Sequence, residues 1–325
     1  MAQQIEHVII IVKENHTFDN YFGRFPGVNG DATLAKAPNP PASDHPHTHE
    51  AWLQFAQKAV RQQYTKADLP AYWKLAREFT LCDNYFTDVA GPSTPNHLML
   101  ITADSPVVDN IHTTSEQDSK HATTTFDLPS LPALLEQASL TWKNYGGYAF
   151  QYIKQLKKSP HSVSSEQFIK DAQAGTLPAV SWLYAAEVNT MFGDLSEHPP
   201  GNITHGMEWT VRQLQAVVKG GLWDKCAIFI TWDDWGGWYD HVPPPEVETW
   251  KDGTQFRYGP RVPCLVVSPY AKPGYISKQQ HSHVSLLRFC EKQSGLPAIN
   301  NRDANASDMS DCFDFAQTPL APPKL

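Results

Sequence analysis

The chain has 325 residues, 41% of them apolar and 18% charged, with ten Trp and fifteen Phe. Globular chains ordinarily carry about 25% charged residues, so the low charge and the many large packing units exclude a disordered chain and suit a sizeable core. A net charge of −8 and a pI near 5.9, without any run of Lys and Arg, leave no electrostatic footprint for a phosphate backbone or an anionic bilayer, and no nucleic-acid partner is expected.

In chain order, Ile5–Val12 (IEHVIIIV) is the first predicted strand, short and β-branched as strands buried on both faces tend to be. Its apolar run from Val8 to Val12 is too short for a signal-peptide core or a transmembrane anchor. A soluble chain, cytoplasmic as it stands, is therefore expected, with export open if a leader has been removed. Pro26–Glu50, rich in Pro, Asp, Asn and His, is a predicted surface excursion or lid, and Leu69–Phe79 has helical spacing. A further helix is expected to begin near Pro95. The Ser, Thr, Asp and His-rich stretch Ala103–Asp127 is a second excursion. Leu128–Ala138 reads as a helix, Leu140–Tyr145 as a weaker strand, Ala179–Leu183 as a strand and Met207–Lys219 as a helix. Strands at Ala227–Trp232 and Val262–Val267, a helix at Val284–Gln293 and a polar, Pro-rich tail at Asn300–Leu325 complete the pattern.

Strands alternating with helices predict an α/β fold, a three-layer α/β/α sandwich around a largely parallel sheet, with residues 1–325 as a single domain. The five cysteines are an odd count without a C-x-x-C pair, which suits reduced core residues.

Candidate chemistry gathers where strands end, because the carboxyl edge of a parallel sheet borders the binding crevice. The first strand runs into Glu14 and Asn15, and Ala227–Trp232 runs into Asp233 and Asp234. Adjacent buried carboxylates repel each other unless a cation or donors compensate, and a divalent metal is the natural compensation. Oxygen donors alone leave calcium, magnesium, manganese and iron open. Ser93 and Thr94 precede a helix start, where an alkoxide or a phosphate is favoured, although either is also an ordinary N-cap. Among fourteen histidines, His45, His47, His49, His198, His241 and His283 lie beside Pro, acidic or polar residues, and a histidine can contact phosphate or protonate a leaving group. No H-E-x-x-H, Walker A, G-x-G-x-x-G or G-x-S-x-G element is present.

These segments resemble the bacterial phosphoesterase family that contains the non-specific phospholipases C and an acid phosphatase branch. The matching pieces are HVIIIVKENHTFDNYFG, DLPAYWKLAREFTLCDNYF, GPSTPNHLML, EHPP, TWDDWGGWYDHVPPP, GPRVPCLVVSPYAKPGY and HVSLLRFCE, in family order from near residue 7 to near residue 290. The resemblance implies an alkaline-phosphatase-like fold and metal-assisted hydrolysis of phosphate esters, as a phospholipase C-like phosphodiesterase or an acid phosphatase. It makes Glu14, Asn15, Asp233 and Asp234 the ligands of a divalent ion, with zinc added to the open choices. Ser93 falls on the nucleophile, and His198 on a phosphate contact or proton donor. His47, Asn96, His241 and His283 are the implied substrate-binding residues. The implied partner is a phosphate ester, with phospholipid or its head group included.

Beside the large secreted phospholipases, neither a long C-terminal extension nor an export leader is expected, which leaves the leaving group open. The rival enzymes on the same fold are a sulfatase or a phosphomutase relative. The sulfatase modification context C/S-x-P-x-R is incomplete here, because Ser93-Thr94-Pro95 lacks the Arg two places beyond. A rival of another class is a silent protein that binds a phosphate ligand without turning it over.

Overall fold

In the computed structural model, residues 4–111, 124–185, 194–249 and 255–325 are described. The central sheet has eight strands. They are β1 (His7–Lys13), β2 (Thr80–Cys82), β3 (Trp142–Tyr145), β4 (Ser162–Val163), β5 (Val180–Tyr184), β6 (Cys226–Trp232), β7 (Cys264–Val267) and β8 (Ile276–Ser277). Their spatial order is β8-β2-β7-β6-β1-β5-β3-β4. Every neighbouring pair is parallel except those made by β7, which runs antiparallel to both β2 and β6.

β1 and β6 lie at the middle of the sheet and are buried along nearly their whole length, as their unbroken runs of Ile, Val and Phe require. The helices are α1 (Pro70–Glu78), α2 (Ser93–Thr102), α3 (Leu131–Gln137), α4 (Glu166–Gln173), α5 (Ile203–Lys219) and α6 (His283–Ser294). They fall into two packed sets, α2 with α3 and α6, and α5 with α1 and α4, one for each face of the sheet. Local chemistry fixes their starts. Asn202 accepts hydrogen bonds from the backbone of Thr204 and His205, Ser282 and Ser285 form a capping box, and Pro70 and Pro132 occupy first-turn positions.

The five cysteines are all buried and unpaired. Of the excursions, residues 26–50 carry one short strand, Ala35–Lys36, paired with Gln62–Gln63, and bring His45 and His47 back toward the carboxyl edge of the sheet. The second excursion lies outside the described residues over positions 112–123. The tail runs along the surface and is tied down: Leu320 N donates to Pro269 O at 2.8 Å, and Trp223 Nε1 to Leu320 O at 2.8 Å.

Candidate active site

Two neighbouring strands create the site. β1 and β6 are in parallel register from His7 opposite Cys226 to Lys13 opposite Trp232, and Asp233 N donates to Lys13 O at 3.0 Å. Glu14–Asn15 and Asp233–Asp234 therefore leave the sheet side by side. Asn15 adopts a left-handed φ of 66°, which Asn tolerates better than most residues, and its N–H donates to Asp233 Oδ1 at 3.2 Å. Closure of the second turn onto the first depends on Gly236, where a Cβ would lie 2.2 Å from Asn15 O and where φ is +55°.

Helix α2 supplies the hydroxyl. Ser93 is its first residue, 7% exposed, and Ser93 Oγ lies 3.1 Å from Asp234 Oδ2 and 3.3 Å from Glu14 Oε2. Thr94 points elsewhere: its Oγ1 meets Tyr148 OH at 3.0 Å and its N–H donates to Asn110 Oδ1 at 2.8 Å. One turn beyond Ser93, on the same helix face, His97 Nε2 lies 3.0 Å from Asp233 Oδ2 and 3.6 Å from Glu14 Oε1. His97 belongs to no motif singled out in the sequence, although its i, i+4 spacing from Ser93 is a signal for it.

His47 and His198 close the other side. His47 Nδ1 donates to His45 O at 2.6 Å, and His198 Nδ1 donates to Pro199 O at 2.7 Å, which turns each Nε2 toward Asn15. The remaining expected residues are placed differently. Asn96 spends its amide on the loop before Ser93: Oδ1 accepts from Val89 N at 2.9 Å, and Nδ2 donates to Val89 O at 3.1 Å and Pro92 O at 3.2 Å. His283 is fully buried behind the site, with Nε2 donating to Asp233 O at 2.8 Å and Nδ1 against Tyr85 OH at 3.0 Å. His241 pairs with Asp19 Oδ2 at 2.6 Å and Asn29 Oδ1 at 3.1 Å, beside the buried ion pairs of Arg261 with Asp19 and Asp240. The polar atoms of these three side chains are matched within the protein.

Electrostatics make the centre costly without a cation. Burial, and then the charge of Asp233, push the Asp234 carboxyl well above its ordinary range. Burial would raise Asp233 too, but the hydrogen bond and charge of His97 hold it below the usual carboxylate value. Beneath the site, Lys13 and Glu197 form a fully buried ion pair at 3.3 Å. Burial lowers the Lys13 ammonium, against the pull of Glu197. Glu197 also accepts from Tyr21, Tyr72 and Trp232, so the pair is hydrogen-bonded as buried charges must be.

The donor set itself tests whether a metal fits. With its nitrogen toward the carboxylates, the Asn15 amide donates to Glu14 Oε2 at 2.9 Å and Asp233 Oδ1 at 3.0 Å, and its oxygen faces His198 Nε2 at 3.0 Å and His47 Nε2 at 3.3 Å. A cation among the carboxylates would take the amide oxygen instead. Glu14, Asn15, Asp233 and Asp234 suit a hard divalent ion, and His97 adds an imidazole nitrogen within reach of Glu14 and Asp233.

The fold is alkaline-phosphatase-like, an α/β sandwich with the candidate site at the carboxyl edge of its sheet. Murine ectonucleotide pyrophosphatase/phosphodiesterase 5 shares the fold with a TM-score of 0.51 at 10% identity, covering 95% of this chain and 100% of that one. The chain belongs to the Phosphoesterase family, whose profile matches residues 5–43 and 42–297. It is 27% identical to the non-hemolytic phospholipase C of Pseudomonas aeruginosa, covering 97% of this chain and 58% of that protein. It is 26% identical to phospholipase C B of Mycobacterium tuberculosis, covering 97% and 78%. The chain therefore spans little more than half the length of the Pseudomonas relative. Among the described residues, no helix is long and apolar enough to cross a membrane.

Proposed function

We infer that this chain hydrolyses phosphate esters, with Ser93 as the nucleophile and Glu14, Asn15, Asp233 and Asp234 holding a divalent ion. The observation that carries this reading is the placement of the Ser93 hydroxyl between Glu14 and Asp234, at 3.3 and 3.1 Å. When bound, the ion would lower the hydroxyl pKa and polarise the phosphoryl oxygens. Calcium, magnesium, manganese, iron and zinc all remain compatible with the donor set.

Ser93 Oγ forms a bond to phosphorus as its proton leaves along the hydrogen bond toward Asp234, and the bond from phosphorus to the leaving oxygen breaks. His198 Nε2, when protonated, supplies the proton that this oxygen needs. Water then attacks the phospho-serine, the bond from Oγ to phosphorus breaks, and Ser93 regains its proton. The names of the phospholipase C relatives favour a phospholipid or its head group as the ester.

The test is hydrolysis of a panel of phosphomonoesters, phosphocholine diesters and phospholipids, with and without a chelator. Ser93→Ala is expected to lose several orders of magnitude in turnover while remaining folded, since the Ser93 hydroxyl caps no helix and its removal takes away only its bonds to Asp234 and Glu14. Thr94→Ala should lose much less. Activity that persists in Ser93→Ala, or no activity on any ester before or after metal addition, contradicts the proposal, the latter leaving a silent phosphate-binding protein.

A further inference from the structure

A second cluster of metal-ligating side chains lies two strands away from β6, with β7 between. Cys82 ends β2, Cys312 comes from the C-terminal tail, and His281 precedes α6. All three are buried, and their Sγ, Sγ and imidazole nitrogen atoms lie within 4.8 Å of one another. Cys82 Sγ is 3.7 Å from Cys312 Sγ, which is 4.0 Å from His281 Nε2. Asp311 Oδ1 lies 3.2 Å from His281 Nε2 and 3.6 Å from Cys312 Sγ. Donors on a tetrahedral zinc, with bonds of about 2.3 Å to sulfur and 2.0 Å to nitrogen, stand about 3.7 Å apart for two sulfurs and about 3.5 Å for sulfur and nitrogen.

We propose that Cys82, Cys312 and His281 form a structural zinc site separate from the hydrolytic centre, with Asp311 beside His281 and Cys312. Two thiolates balance the charge of the dication, and their two protons leave to solvent on binding. Without metal, burial holds the Cys82 thiol well above its ordinary pKa, and the hydrogen bond with Cys82 followed by burial does the same for Cys312. Both are then neutral thiols packed against a histidine and a carboxylate.

The site would clip the tail to the sheet edge. Cys312 O already accepts from Lys272 N at 2.9 Å and from Thr80 Oγ1 at 3.2 Å. It would also anchor the segment entering α6, two residues before the histidine that holds Asp233 O from behind.

The experiment is reconstitution of the wild-type protein with cobalt(II) under a phosphine reductant. Thiolate-to-cobalt charge-transfer absorption in the near ultraviolet is expected, because the oxygen and imidazole donors at the hydrolytic centre cannot produce it. Cys312→Ser should abolish that band, whereas Asp233→Asn should keep it and also keep bound zinc. Limited proteolysis should cut the tail faster once zinc is withdrawn. Cobalt binding without the band, or a wild-type protein whose Cys82 and Cys312 are isolated as a disulfide that takes up no zinc after reduction, overturns the assignment. The wild-type measurement needs no cysteine variant to fold, and it reads the same whether or not Ser93 proves to be the nucleophile.

Discussion

Asp233 stands at the point where charge, backbone and metal chemistry meet. Its carboxylate accepts from Asn15 N at 3.2 Å and lies 3.0 Å from His97 Nε2. A neutral amide in its place cannot balance a dication, so Asp233→Asn should lose most of the bound hydrolytic metal and most of the turnover. Elemental analysis beside the rate assay checks this, and full metal with full activity would remove Asp233 from the site. His198 makes a different prediction. Protonation of the leaving oxygen matters most for poor leaving groups, so His198→Ala should slow alkyl phosphate esters far more than nitrophenyl phosphate. Equal losses at saturation would make it a phosphate contact only. Four of the residues gathered here, Glu14, Asn15, Asp233 and Asp234, were legible because each follows a strand too apolar to be anything but buried. The internal partners of Asn96, His241 and His283 were not, because a sequence names a donor without naming the acceptor that meets it.

At the scale of elements, α2 works only if the loop before it is held. Asn96 grips that loop at Val89 and Pro92 from beneath. Asn96→Ala takes the acceptor from Val89 N, at a cost of about 1–3 kcal/mol of stability, while Val89 O keeps Gly91 N. Turnover should fall more than KM rises, because Ser93 is displaced rather than the ester released. Thermal unfolding and steady-state kinetics read the two effects separately, and an unchanged turnover would show that the loop keeps its shape unaided.

Helix α6 carries a pH dependence of its own. Burial first, then the hydrogen bond with Asp303, raises the Glu291 carboxyl to about 8 against the pairing with Arg288. The folded protein thus keeps a proton that the unfolded chain releases near 4.5. This group's contribution is fully present below pH 4.5 and declines as the pH rises toward 8, by at most about 1.4 kcal/mol per pH unit. Glu291→Gln should flatten that decline in denaturant unfolding followed across pH. A wild-type slope retained in the variant would place the proton elsewhere. The long strands β1, β5 and β6 and four of the five predicted helices were readable from periodicity, and the start of α2 from Pro95. The short strands β2, β4 and β8 were not, since two or three residues carry no period. The antiparallel course of β7 was hidden as well, because burial on both faces reads alike in either direction.

Across the whole molecule, the site is assembled from five separated segments, around residues 14, 47, 93, 198 and 233. The register of β1 with β6 joins the first to the last, and α2 is packed against the sheet beside them. No local pattern dictates that convergence; the alternation of strands and helices does, by placing the carboxyl ends of parallel strands on one edge. The central claim is that Ser93 carries the phosphoryl group between two displacements. The most direct measurement follows an isotopically chiral phosphate ester through turnover in an alcohol acceptor. Two in-line steps through Ser93 predict net retention of configuration at phosphorus. Net inversion would mean that the acceptor attacks the ester in a single step, and Ser93 would not be the nucleophile.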